Sequence, residues 1–182
     1  MANETIKNLL EALQESPGNV PLRLHVAELM MNDEMYTEAG EQYRDVLKRN
    51  YGNIKAQLGL ALITALKGIA YFEAEDDVTA DPLLRSAVPA IRAALNALGD
   101  KPDGQRRILA IAHSYLGLVN WYHARIAHDK NKTDEAQSYD AAIVAFKQCI
   151  ALDDGNDEFL KQKIATDCQY NLNQADAEKP GS

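Results

Sequence analysis

The 182-residue chain is 46% apolar and 25% charged, enough apolar residues for one domain with a continuous core. Its net charge of −8 and pI near 5.0 argue against a nucleic-acid partner, which needs clustered Lys and Arg to displace phosphate counterions, and against attraction to an anionic membrane surface. No apolar run in the sequence reads as the ~20 residues that span a bilayer. The N-terminus MANETIKNLLEAL has no basic stretch leading an apolar one, so a soluble, cytoplasmic protein is expected.

With 10 Gly and 6 Pro against many Ala, Leu, Glu, Gln and Lys, the composition favours helix, because these side chains lose little freedom there. Apolar spacings of three and four predict helices over 3–15, 20–32, 36–50, 54–74, 82–98, 105–128, 134–152 and 157–176. Asp81-Pro82 reads as an N-cap followed by Pro at the first helical position, and Thr133 as a cap before the acidic pair Asp134-Glu135. Pro89 falls inside its helix and predicts a bend, or a restart near Ser86. The last helix carries Phe159, Leu160, Ile164, Cys168 and Leu172 on one apolar face and is expected to cap the core. Residues 179–182 read as a disordered tail.

One helical pattern recurs. Tyr36, Ala39, Tyr43, Val46 and Leu47 share a face; so do Ala87, Ala90, Ala94, Ala97 and Leu98, followed by Pro102; so do Tyr139, Ala142, Phe146, Cys149 and Ile150. Leu9, Ala12, Leu13 and Pro17 supply a fourth copy. The preceding helices show their own pattern in Val26, Ala27 and Met30, in Leu60, Ala61 and Thr64, and in Ile111, Ala112 and Tyr115. A small residue lets paired helices approach while larger ones fill the groove beside it.

In these residues the chain resembles the tetratricopeptide repeat family, whose second helix carries a small Ala, an aromatic four residues on and a turn Pro. Ala39/Tyr43 and Ala142/Phe146 carry the match most closely. The resemblance implies an all-α solenoid of antiparallel helix hairpins with about eight helices. It divides the chain into a half repeat (1–19), repeat one (20–53), repeat two (54–104), repeat three (105–156) and a capping helix (157–178), all in one domain. Thr5 to Ala39 spans the family period of 34 residues, but Ala39 to Ala90 spans 51 and Ala90 to Ala142 spans 52. The additional residues keep helical spacing, so longer helices are the economical reading, each extended by about 8 residues or roughly 12 Å.

The resemblance also implies that the first helix of each pair lines a groove. By alignment the lining is Leu24, Glu28 and Met31, then Leu58, Leu62 and Ala65, then Leu109, His113 and Leu116. This mainly apolar set implies either a groove filled by the protein itself or a protein or peptide partner, held as in helix-in-groove recognition, with the protein acting as an adaptor or scaffold. Assembly of a homo-oligomer through the longer helices, or a chaperone role for a specific partner, are the alternatives.

No residue pattern calls for catalysis, a metal or a cofactor. His113 and His123 are ten residues apart on one predicted helix, whereas helical metal ligands recur at three or four. Trp121 is expected as a core anchor. Asp129, Asn131, Thr133 and Asp140 have the offsets of a calcium loop but lack its central Gly and its final Glu, and read as a turn. Glu73, Glu75, Asp76, Asp77 and Asp81 read as a solvated loop, or as a surface that greets a basic partner. Cys149 and Cys168 read as small buried hydrophobes without a bridge.

Overall fold

A computed structural model describes residues 2–99, 105–130 and 134–180, and the described residues are helical with no strand. Among the described residues eight α-helices occur, six of them within two residues of the expected bounds, with α5 starting earlier and α8 later than expected: α1 (Ala2–Glu15), α2 (Val20–Asn32), α3 (Tyr36–Arg49), α4 (Ile54–Glu73), α5 (Asp77–Leu98), α6 (Arg106–Asp129), α7 (Glu135–Ala151) and α8 (Thr166–Glu178). The chain divides into two compact units, Met1–Ile63 and Thr64–Ser182, with the division inside α4.

In the first unit, Ile6, Leu13, Val26, Ala27, Met30, Ala39, Tyr43 and Val46 form a buried core with Ala56 and Ile63 of α4. Asn19 caps α2 by accepting from the Leu22 amide at 3.1 Å, with Pro21 in the first turn, where no helical N–H is missed. Arg23 donates to Gln42 Oε1 at 2.6 Å and to the Pro17 carbonyl at 3.2 Å, tying α2 to α3 and to the turn before α2. The Tyr43 ring lies over Gly59 so closely that a Cβ there would sit 2.4 Å from ring carbons.

Two helix turns share one backbone solution. After α2, Glu34 takes φ 60° while Met35 N–H reaches Met30 O at 2.8 Å and Glu34 N–H reaches Met31 O at 3.2 Å. After α4, Glu75 takes φ 60° while Asp76 N–H reaches Tyr71 O at 2.9 Å and Glu75 N–H reaches Phe72 O at 2.9 Å. Both are Schellman closures, with a glutamate in the left-handed position that Gly or Asn normally fills.

In the second unit, α6 and α7 pack with the stretch Leu160–Ala165 and α8 around Trp121, Tyr139, Ile143, Phe146, Leu160 and Ile164, and α5, packed on α6, buries Leu84, Ala87 and Ile91. Helix lengths are 20 residues for α4, 22 for α5, 24 for α6 and 17 for α7, against 13 or 14 in the first three. Between α6 and α7 the extra length is concentrated in α6 rather than shared equally.

Several expectations are corrected. Helix α5 begins at Asp77, capped by Asp76 accepting from the Thr79 amide at 3.1 Å, not at Asp81-Pro82. It continues through both Pro82 and Pro89 without a restart, and both prolines sit at exposed positions. Cys149 and Cys168 are bonded to each other, which overturns their reading as unbridged hydrophobes. Both are fully buried, and the bond fastens α7 to α8. A π-helical turn, Leu160–Ala165, opens the last helical stretch, and Phe159 is 45% exposed beneath the Arg107 guanidinium rather than on the buried face. Helix α4 does have the length and apolarity of a membrane span, contrary to the reading that no run qualifies, although 44% of its most apolar window is buried inside the protein. The cap at Thr133, the turn at Pro102, the calcium-like positions Asn131 and Thr133, and residues 181–182 lie outside the described residues.

Candidate functional site

Helix α6 has two unlike sides. Ala112, Leu116, Val119, His123, Ile126 and Ala127 are buried, while Ile111, Tyr115, Leu118, Tyr122 and Arg125 are half-buried and Asp129 is exposed. The second set steps by four and three, so it forms one continuous stripe. Along it the chemistry changes from aliphatic and phenolic to cationic and acidic.

Two open pockets flank this stripe. One, of about 320 Å³, is formed by Ile111, Ser114, Tyr115 and Leu118 with Ile164, Asp167, Tyr170 and Asn171 from the π turn and α8. The other, of about 560 Å³, is formed by Tyr122, Arg125 and Asp129 with Phe72, Glu73, Glu75 and Asp77 from the end of α4 and the start of α5.

The second pocket is aromatic and charged. Phe72 and Tyr122 meet edge to face at 5.2 Å, and the Arg125 guanidinium lies 5.1 Å from the Phe72 ring, 5.7 Å from Trp121 and 5.9 Å from Tyr122. The Tyr122 hydroxyl donates to Glu73 at 3.1 Å; burial, then the Glu73 carboxylate, push this phenol above its ordinary range. Behind the rings, Trp121 Nε1 donates to Glu178 at 2.9 Å and Tyr139 to the same oxygen at 3.3 Å. Burial first, and then Glu178, push the Tyr139 phenol up to about 12. Trp121 is thus buried, as expected of a core anchor, with its one polar atom satisfied at the edge.

A separate polar cluster links α5, α6 and α7. His123 Nδ1 lies 2.9 Å from Ser138 Oγ, and its Nε2 lies 3.3 Å from Asp81 Oδ1 and 3.7 Å from Asp134 Oδ2. Arg85 spans the same carboxylates, at 3.0 Å from Asp81 and 3.2 Å from Asp134. Serine, imidazole and carboxylate in line resemble a nucleophilic arrangement, but Ser138 is only 7% exposed and neither pocket beside the stripe opens onto it. The cluster gives the nearly buried His123 polar partners on both sides and links three helices.

The predicted lining residues separate. Leu24 and Met31 are half-buried and Glu28 exposed in the first unit, where Leu58 and Leu62 are buried. Ala65 is fully buried. Leu109, His113 and Leu116 lie on the side of α6 turned to α5 and α7, not on the stripe: His113 and Leu116 share a cleft with Arg92, Leu95 and Val144, and Leu109 continues it beside Leu152. The α6 residues of the predicted lining thus border one cleft, and the half-buried stripe lies on another face of the same helix. In sequence the stripe shows as Ile111, Tyr115, Leu118 and Tyr122 at steps of four and three, with alanines, glycine and valine on the opposite side.

His113 and His123 do not converge, since they meet different neighbours about 15 Å apart along the helix. His113 Nδ1 is buried with no hydrogen-bond partner among the described residues, and desolvation holds the imidazole below its ordinary pKa of 6.5. Because the folded form is the weaker base, its contribution to stability is complete above the unfolded value and is lost as pH falls from there through the folded value. The urea midpoint should therefore drop between pH 7.5 and 5.5, and His113→Gln should shallow that drop; an identical slope in the variant would refute the assignment.

Helix hairpins, a half-exposed α6 stripe and two flanking pockets define an all-α protein with an open, chemically graded surface. No family model, no curated protein and no solved structure matches the chain.

Proposed function

We propose that this chain is a helical-repeat interaction module of tetratricopeptide type, working by presenting a surface and not by chemistry of its own. The repeat reading is supported by the paired Schellman turns at Glu34 and Glu75 and by aromatic residues seated on small ones at Tyr43–Gly59 and Phe146–Gly117. The observation that carries the function is the half-exposed stripe of α6 with an open pocket at either end. A partner segment laid along it would cover Ile111, Tyr115 and Leu118 and gain from removing that apolar area from water.

The test is affinity capture from the native host with the wild-type chain and with Leu118→Glu. Leu118 is half-buried at the pocket wall and its inner side packs against the core, so Leu118→Ala is run beside Leu118→Glu to separate loss of the surface from loss of packing. The expected result is a partner captured by the wild type and lost by Leu118→Glu while its circular dichroism and thermal midpoint are retained. Equal capture by both proteins would reject the α6 stripe as the binding surface.

A further inference from the structure

We infer that the partner segment is cationic at one end, with an Arg or Lys seated in the pocket beside Phe72 and Tyr122 and apolar residues continuing along α6 toward Tyr115; this rests on the stripe being the docking surface. The first argument is charge. Glu73, Glu75, Asp77 and Asp129 line the pocket, against Arg125 and against Lys130 at 3.5 Å from Asp77. Glu75 and Asp129 are exposed and make no ion pair among the described residues, so carboxylates remain available on both sides of the opening. An anionic segment would meet repulsion there, and a neutral one would leave the acidic end uncompensated.

The second argument is the company that Arg125 keeps. A guanidinium of the chain itself already lies over three aromatic rings at 5.1 to 5.9 Å. Ring faces attract cations through their quadrupole, and the attraction grows when the cation is partly desolvated, as in a walled pocket. The local chemistry is thus already that of cation recognition, and the roughly 560 Å³ of open space beside Arg125 has room for a second long basic side chain. The third argument is continuity. Tyr122 and Leu118 are one turn apart on the same stripe, so the acidic pocket leads directly to Leu118 and Tyr115 in the wall of the other pocket. A flexible basic side chain followed by aliphatic residues matches both ends at once.

The probes are three fluorescein-labelled synthetic peptides of one length that share Leu residues at helical spacing and carry Arg and Lys, Gln, or Glu at one end. Binding to the full chain is followed by anisotropy, with the fluorescence of Trp121 as a second readout because its ring lies against both Arg125 and Tyr122. The cationic peptide is expected to bind at least tenfold more tightly than the Gln peptide, the Glu peptide least, and the preference is expected to shrink as salt rises. Glu73→Gln with Glu75→Gln and Asp129→Asn, all exposed positions, should abolish that preference. Arg125→Gln should raise affinity for the cationic peptide several-fold, since it removes the resident competitor.

Equal binding of the cationic and Gln peptides, a preference for the Glu peptide, or a preference unchanged by the triple substitution would each overturn the inference. If the Gln peptide binds and Leu118→Glu prevents it, the docking surface stands and only its cationic specificity falls. Failure of all three peptides, or self-association of the chain through this face, would count against both.

Discussion

Replacing Phe146 by Ala should destabilise the second unit by about 3–5 kcal/mol, the usual cost of deleting a buried aromatic ring. Phe146 is fully buried and among the largest such side chains. Its ring lies on the backbone of Gly117 in α6, where a built Cβ would come within 2.4, 2.5 and 2.8 Å of ring atoms. Gly117→Ala is therefore informative. In an open helix Ala is better than Gly by about 1 kcal/mol. Here the methyl must displace a ring enclosed by its own core, so a net loss of about 1–3 kcal/mol is expected instead. Phe146→Leu in the Gly117→Ala background should recover part of that loss, giving coupling well outside additivity. Urea denaturation followed through Trp121 measures all three. A stabilising Gly117→Ala would show that the ring does not rest on Gly117.

The helices were readable because α1, α3 and α5 keep apolar residues at three- and four-residue spacing, a pattern that depends only on local geometry. Helix starts were less so. Asp81-Pro82 is a good local cap, but Asp76 is also a cap, and Thr79, Ala80 and Leu84 continue its helix into the core, where burial of Ala80 and Leu84 outweighs the penalty at Pro82. The sequence alone does not single out one face of α6, for a related reason. Both sides of that helix are apolar enough to line a groove, and choosing between them needs the position of α8, which covers neither Tyr115 nor Leu118 completely. The His123 cluster depends wholly on tertiary placement, since Asp81, His123 and Ser138 are each unremarkable in sequence. So does the Cys149–Cys168 pairing, because each cysteine lies on a buried face of its own helix and only the packing of α7 on α8 brings the two together.

That bridge should contribute about 3 kcal/mol, the chain-entropy expectation for a loop near its 19-residue separation. Cys149→Ala with Cys168→Ala should accordingly lower the thermal midpoint of the second unit by about 6–12 °C, taking about 2–4 °C per kcal/mol for a protein of this size. Both sulfurs are fully buried among Phe146, Leu160 and Ile164, so a dithiol can reach them only when α8 opens away from α7. Reduction of the wild type should then be slow in native buffer and accelerate in sub-denaturing urea. Measuring the fraction of alkylatable thiol against time in each condition separates this from an exposed, freely exchanging bond, which would be reduced at the same rate in both. The same alkylation on rapidly quenched cells bears on where the protein works. A cytosol keeps protein thiols reduced, so a bridge present in most molecules would place the chain in an oxidising compartment. Two free thiols in the cell, with the midpoint indifferent to the double substitution, would remove the bridge from the working protein and leave the expectation of a cytoplasmic chain standing.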